Sequence, residues 1–114
     1  MLIHHPQGDY DNKHVLPRHI VQLVRFMTER RYKADWVLIW HKAHGPKGAW
    51  LSINRGKVRA KHVVFEAHRL GFLALGGRYG LTYSVNEAGV ALAGLDDAAA
   101  VQAVKNAKIA DVAA

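Results

Sequence analysis

From Leu16 onward, apolar residues return with a helical period. Leu16, Ile20, Leu23, Val24 and Met27 share one stripe, while Arg18, Gln22, Arg25 and Glu29 fall opposite. Pro17 suits a first helical position, where its missing N–H is not needed. The pattern predicts an amphipathic helix over about 17–31. Asp35 can then cap a second helix, W-V-L-I-W-H-K-A-H, that ends before Gly45-Pro46. The same letters are rich in strand formers, and H-G-P-K-G can turn a hairpin into A-W-L-S-I, so a hairpin competes with the helix here. Residues 48–53 read as a short helical turn or a short strand, and Asn54-Arg55-Gly56 reads as a turn.

The stretch I-N-R-G-K-V-R-A-K-H-V-V carries Arg55, Lys57, Arg59 and Lys61 at every second position, which alone suggests a strand. The residues after Lys61 break that alternation. On a helical wheel Ala60, Val63, Val64, Ala67 and Leu70 share one arc, and the cations split into two edges beside it. The continuous pattern therefore predicts a helix over 57–70, stopped by Gly71. Next, F-L-A-L-G-G-R-Y-G-L-T-Y-S-V holds two short apolar runs around Gly76-Gly77, a dipeptide suited to a two-residue hairpin turn, with Tyr79, Leu81, Tyr83 and Val85 alternating as a strand should. Asn86 caps a further helix that opens with Glu87. Residues 96–114 are Ala-rich with a weak apolar stripe, a helix that packs on a partner or frays. Residues 1–12, polar and broken by Pro6 and Gly8, read as a flexible arm.

The expected fold class is mainly α with a small β-hairpin. It comprises an arm over 1–12, one domain over 13–95, and a C-terminal helix over 96–114 that can serve as a dimerisation element.

Charge changes this picture. The chain of 114 residues has a formal net charge of +7, and residues 13–80 hold fourteen Lys and Arg against three acids, Glu29, Asp35 and Glu66. Such concentration points to a polyanionic partner, nucleic acid first and an anionic membrane surface second. There is no Cys, which excludes disulfides, thiol catalysis and thiolate metal sites. No apolar run approaches the ~18 residues of a membrane span, so no membrane partner is expected. The N-terminus lacks the features of a signal peptide, which predicts a cytoplasmic, nucleoid-associated protein. Ser52 and Ser84 lack the context of a nucleophile, G-G-R-Y-G is not a phosphate-binding loop, and Asp96-Asp97 reads as a helix start. No enzyme activity and no cofactor are expected. His41 and His44 stand three apart and His4-His5 are adjacent, but no carboxylate has matching spacing, so no metal site is assigned. Trp36, Trp40 and Trp50 read as core.

The order helix, short element, turn, basic helix, Gly-Gly hairpin, helix resembles a winged helix-turn-helix. A-H-R-L-G-F-L resembles the end of a recognition helix. Y-S-V-N-E-A-G-V-A-L-A-G-L resembles the strand-to-helix exit of the multiple-antibiotic-resistance regulator class, with Asn86 where that class has Thr. The resemblance covers about residues 36–95. The element near Gly48–Ile53 and the wing are shorter than in the class, as are the flanking helices that take the place of its dimerisation helices.

The resemblance implies a homodimeric double-stranded DNA-binding protein, a transcriptional regulator or a replication or partition factor. Helix 57–70 would enter the major groove and wing 72–85 would touch the backbone. Asn54, Arg55, Arg59 and His62 would face bases, Lys57 and Lys61 phosphates. Arg78 and Tyr79 would be the wing contacts, and Lys47 a backbone contact beside Lys42 and His44. Arg30, Arg31 and Lys33 would add phosphate contacts if the first helix lies near the duplex. The alternatives are a winged-helix protein–protein module and an RNA-binding protein.

Overall fold

The computed structural model describes residues 2–44 and 60–113. Its elements in chain order are β1 (Leu2–Ile3), β2 (Tyr10–Asp11), α1 (Pro17–Arg30), α2 (Trp36–His44), α3 (Ala60–Arg69), β3 (Leu73–Gly76), β4 (Thr82–Val85), α4 (Glu87–Ala93) and α5 (Asp97–Ala113). The described chain is thus mainly helical, with two small antiparallel strand pairs, β1–β2 and β3–β4. Among the described residues no helix is long and apolar enough to cross a membrane.

Helix α1 is the central strut. It starts at Pro17 as expected, and the buried His19 completes the start by accepting the Leu16 N–H on Nδ1 at 3.1 Å. Its buried set, Ile20, Val21, Leu23, Val24, Phe26 and Met27, is wider than one stripe, because α3, α4, α5 and β4 all pack around it. It ends at Arg31, which sits in the left-handed region (φ 48°) and returns the Arg31 and Tyr32 N–H groups to the carbonyls of Thr28 and Met27. Helix α3 closes in the same way at Gly71 (φ 90°), where Gly71 and Phe72 donate to His68 and Ala67.

Asp35 settles the competition between helix and hairpin at 36–44. Its Oδ1 accepts the Leu38 N–H at 2.9 Å, so the segment runs as a helix with Ile39 buried. Between α1 and α2, Ala34 exchanges both backbone hydrogen bonds with Tyr83 (3.2 and 2.9 Å) and lies against β4 as a one-residue third strand. The hairpin differs in detail from expectation. Gly76 pairs with Thr82, so Gly76-Gly77 is not a two-residue turn. A five-residue loop, 77–81, makes the reversal, with Gly77 (φ 83°) and Gly80 (φ 67°) supplying the left-handed positions. Tyr79 and Leu81 belong to this loop and not to the strand.

Asn86 caps α4, accepting the Gly89 N–H at 2.9 Å and donating its amide to Gly71 O at 2.7 Å. A Cβ on Gly89 would lie 2.3 Å from Phe72 O, so α4 meets the start of β3 at a distance only glycine allows. Residues 2–11 are not an arm. β1 and β2 pair, with Ile3 opposite Tyr10, and the hairpin lays Tyr10 and His5 into the core. The reason is local: one large aromatic in a polar stretch supplies the anchoring area. Helix α5 docks on its own chain, burying Ala100 and Val104 against α1 and donating Lys108 Nζ to Val15 O at 2.8 Å. Its apolar stripe is weak because alanine makes the close contact. The buried residues from Tyr10 to Val104 form one cluster.

Two substitutions test these points. Gly89→Ala should lower stability by about 2–3 kcal/mol in urea unfolding, the size expected for forced overpacking. Arg31→Gly should raise it by about 0.5–1 kcal/mol by removing left-handed strain.

Candidate nucleic-acid interface

Five residues expected at the site, Lys47, Asn54, Arg55, Lys57 and Arg59, lie outside the described residues, as do Trp50 and the short element 48–53. Lys61 and His62 are half-buried on the first turn of α3, with the Tyr10 ring 6.4 Å from that of His62. Arg78 and Tyr79 are exposed in loop 77–81, with the guanidinium 5.6 Å from the Tyr79 ring centre. Tyr79 is 78% exposed, so an aromatic face and a cation stand together at the loop tip.

The rest of α3 is not a free face. Its apolar arc, Ala60, Val63, Val64 and Ala67, is buried as expected, but Phe65 and Glu66 are buried as well. Glu66 is fully buried, and its Oε1 accepts Arg69 Nε at 2.6 Å and the Tyr10 hydroxyl at 3.2 Å. Arg69 Nε also donates to the Tyr10 oxygen at 3.1 Å, and Arg69 Nη1 pairs with Asp111 on α5. Burial works against the Arg69 cation, yet the Glu66 carboxylate outweighs it and holds the guanidinium protonated beyond its usual range. Burial, then the Glu66 charge, pushes the Tyr10 hydroxyl up.

On the opposite flank His68 meets His5. The N-terminal hairpin therefore covers the later turns of α3, and α5 reaches their end through the Arg69–Asp111 pair. Of the helix expected over 57–70, the described part is Ala60–Arg69, and Arg69 at its far end is taken up by contacts within the chain. Lys61 and His62 are the expected contact residues that α3 carries within the described residues. The i,i+3 spacing of Glu66 and Arg69 was the signal in the sequence for this internal pairing.

Trp36 packs edge-on to Phe65 with ring centres 6.4 Å apart, as a core residue does, whereas Trp40 is 36% exposed beside His41. No group of three potential metal-ligating side chains occurs among the described residues.

The distribution of carboxylates decides the electrostatics. All nine acids of the chain lie in the described segments, and most have an internal partner. Asp97 holds Arg25 at 2.5 Å, Glu66 and Asp111 hold Arg69, and Glu29 lies 3.5 Å from Arg30. Asp9 and Asp11 accept from His4 and His14, and Asp35 and Asp96 cap α2 and α5. Lys13, Arg18, Arg31, Lys33, Lys42, Lys61, Arg78 and Lys105 pair with no carboxylate side chain among the described residues, and all but Lys61 are exposed. Arg31 and Lys33 flank an open groove of about 510 Å³ floored by Met27, Val85 and Val90, on the side of β4 where Ala34 pairs.

Replacing Arg69 by Leu should cost about 3–5 kcal/mol, because it strands a buried carboxylate. Tyr10→Phe should cost only about 1 kcal/mol, one hydrogen-bonding group in a network that keeps its ion pair. Chemical denaturation of the two variants checks the contrast. No family model, no curated protein and no solved structure matches this chain.

Proposed function

We propose that this chain is a winged-helix protein that binds double-stranded DNA. The observation that carries the reading is the surplus of cations left after the carboxylates have been used internally. Most described Lys and Arg side chains lack a carboxylate partner among the described residues, and segment 45–59 adds Lys47, Arg55, Lys57 and Arg59 with no acid at all. Phosphate neutralisation by such cations supplies most of the affinity of a non-specific complex.

The element order supports the winged-helix form. Three helices precede a hairpin, and Ala34 adds a third strand through its two hydrogen bonds with Tyr83. In this arrangement the N-terminal end of α3 with the residues before it, Asn54 to Lys61, meets the major groove. Arg55 and Arg59 offer bidentate donors to guanine, and Asn54 can pair with adenine. Loop 77–81 brings Arg78 and Tyr79 to the backbone or minor groove. Arg31 and Lys33 add phosphate contacts beside the third strand. A homodimer contact on α5 would use the face away from α1, where Ile109 is 66% exposed.

The test is fluorescence anisotropy of a labelled duplex of about three helical turns, titrated at several salt concentrations beside single-stranded DNA and duplex RNA. The expected result is a preference for duplex DNA with a log–log salt slope of about −5 to −7, corresponding to six to eight neutralised phosphates. Arg55→Ala with Arg59→Ala should lower affinity at least about tenfold, as loss of two base-contacting guanidinium groups requires. A flat salt response, or tighter binding to duplex RNA, would overturn the reading.

A further inference from the structure

His5 lies between the N-terminal hairpin and α3 and is 3% exposed. Its ring stacks flat on Phe65, with centres 4.3 Å apart and planes 4° from parallel, and stands edge-on to Tyr10 and His68. The hydrogen bonds around it permit one assignment of protons. The Gln7 N–H donates to His5 Nδ1 at 3.1 Å, so the proton of the neutral ring sits on Nε2. That Nε2–H points at His68 Nδ1, 2.9 Å away, which must therefore accept, leaving the His68 proton on its own Nε2.

Both rings must be neutral for this chain of bonds to exist. A second proton on His5 goes to Nδ1 and opposes the Gln7 N–H. A second proton on His68 goes to Nδ1 and opposes the His5 N–H. In either case a hydrogen bond becomes a clash of donors, and a charge appears in an aromatic cage.

We propose that the His5–His68 hydrogen bond is a proton-operated latch, which holds the N-terminal hairpin over α3 when both rings are neutral and releases it when the medium acidifies. The groups facing the pair offer no anion to hold an added charge. From β2 comes Tyr10, and from β4 comes Tyr83, whose ring is 5.9 Å from that of His68. On α3 itself Glu66 is committed to Arg69 and Tyr10, and on the hairpin Asp9 is committed to His4. Burial, then the neighbouring His68 and His4, lowers His5 from 6.5 to about 4, and burial also lowers His68.

The released hairpin therefore binds protons more readily than the docked one. Docking is at full strength above about pH 6.5 and is lost as pH falls toward about 4. Within that window the ratio of docked to undocked hairpin falls by up to about tenfold per pH unit for each histidine protonated. Release uncovers Phe65, His62 and Glu66 on the outer side of α3 and adds positive charge to it.

Nitrogen-resolved NMR of the full chain tests the latch. At neutral pH His5 and His68 should both carry their proton on Nε2 alone. Lowering the pH toward 5 should reduce the exchange protection of the Gln7 and Gly8 amides, after correction for intrinsic rates, while the amides of α1 keep theirs. His68→Asn leaves an acceptor for His5 but no proton site, and should reduce the pH slope to that of a single histidine. Three results would each overturn the proposal: a different tautomer, hairpin protection unchanged down to pH 5, or simultaneous loss of protection in hairpin and α1. A full slope retained in His68→Asn would do so as well. The first three are read on the natural sequence and do not depend on the variant folding.

Discussion

A carboxylate with no access to water, Glu66, is the constraint around which the structure is organised. Burying an ion costs several kcal/mol unless a counter-ion and hydrogen bonds meet it. Arg69 one turn later meets it on α3 itself, Tyr10 meets it from β2, and Asp111 on α5 takes the other end of the guanidinium. Three segments far apart in sequence are therefore bound to one junction. Arg69 supplies the counter-charge from α3 itself, while Tyr10 and Asp111 tie the hairpin and α5 to that pair. The aromatic cluster of Tyr10, Phe65 and Tyr83 lies directly beside this junction and adds the apolar area that a short hairpin lacks.

The same economy shapes the surface. Each carboxylate given to a structural task is one fewer to neutralise an exposed cation. Of the acids among the described residues only Glu66 is buried, and the exposed acids lie within an overall excess of Lys and Arg. This connects the interior ion pair to the proposed interaction with a polyanion: net charge alone is a statement about composition, whereas the internal commitment of the acids determines what a partner meets. It also limits the part of α3 that can face a duplex, because Arg69 is held inside by Glu66 and Asp111.

Helices with a chemical stop or start are legible in the sequence. Pro17, Asp35, Asn86 and Gly71 each fix a boundary, and each acts as its residue type requires. The register of the loop is less legible, because Gly77 and Gly80 can both take positive φ and the sequence does not rank them. Residues 2–11 read as an arm in the sequence because period and composition register stripes, whereas this hairpin is held by two rings, His5 and Tyr10. The docking of α5 is hidden for a related reason: Ala100 packs by being small, and smallness leaves no hydrophobic pattern. The expected basic contacts at Lys47 and at Asn54, Arg55, Lys57 and Arg59 fall outside the described residues, so for them the sequence remains the source of the reading.

The most direct measurement of the central claim is urea unfolding of the chain lacking residues 1–11. If the hairpin is an integral wall of the Glu66 junction, its removal exposes Phe65 and takes away the Tyr10 hydroxyl. The midpoint should then fall by the equivalent of about 3 kcal/mol or more, as loss of a large buried aromatic implies. A midpoint within about 0.5 kcal/mol of the intact chain, the range of an inconsequential surface change, would show that the junction stands without the hairpin and would contradict the account.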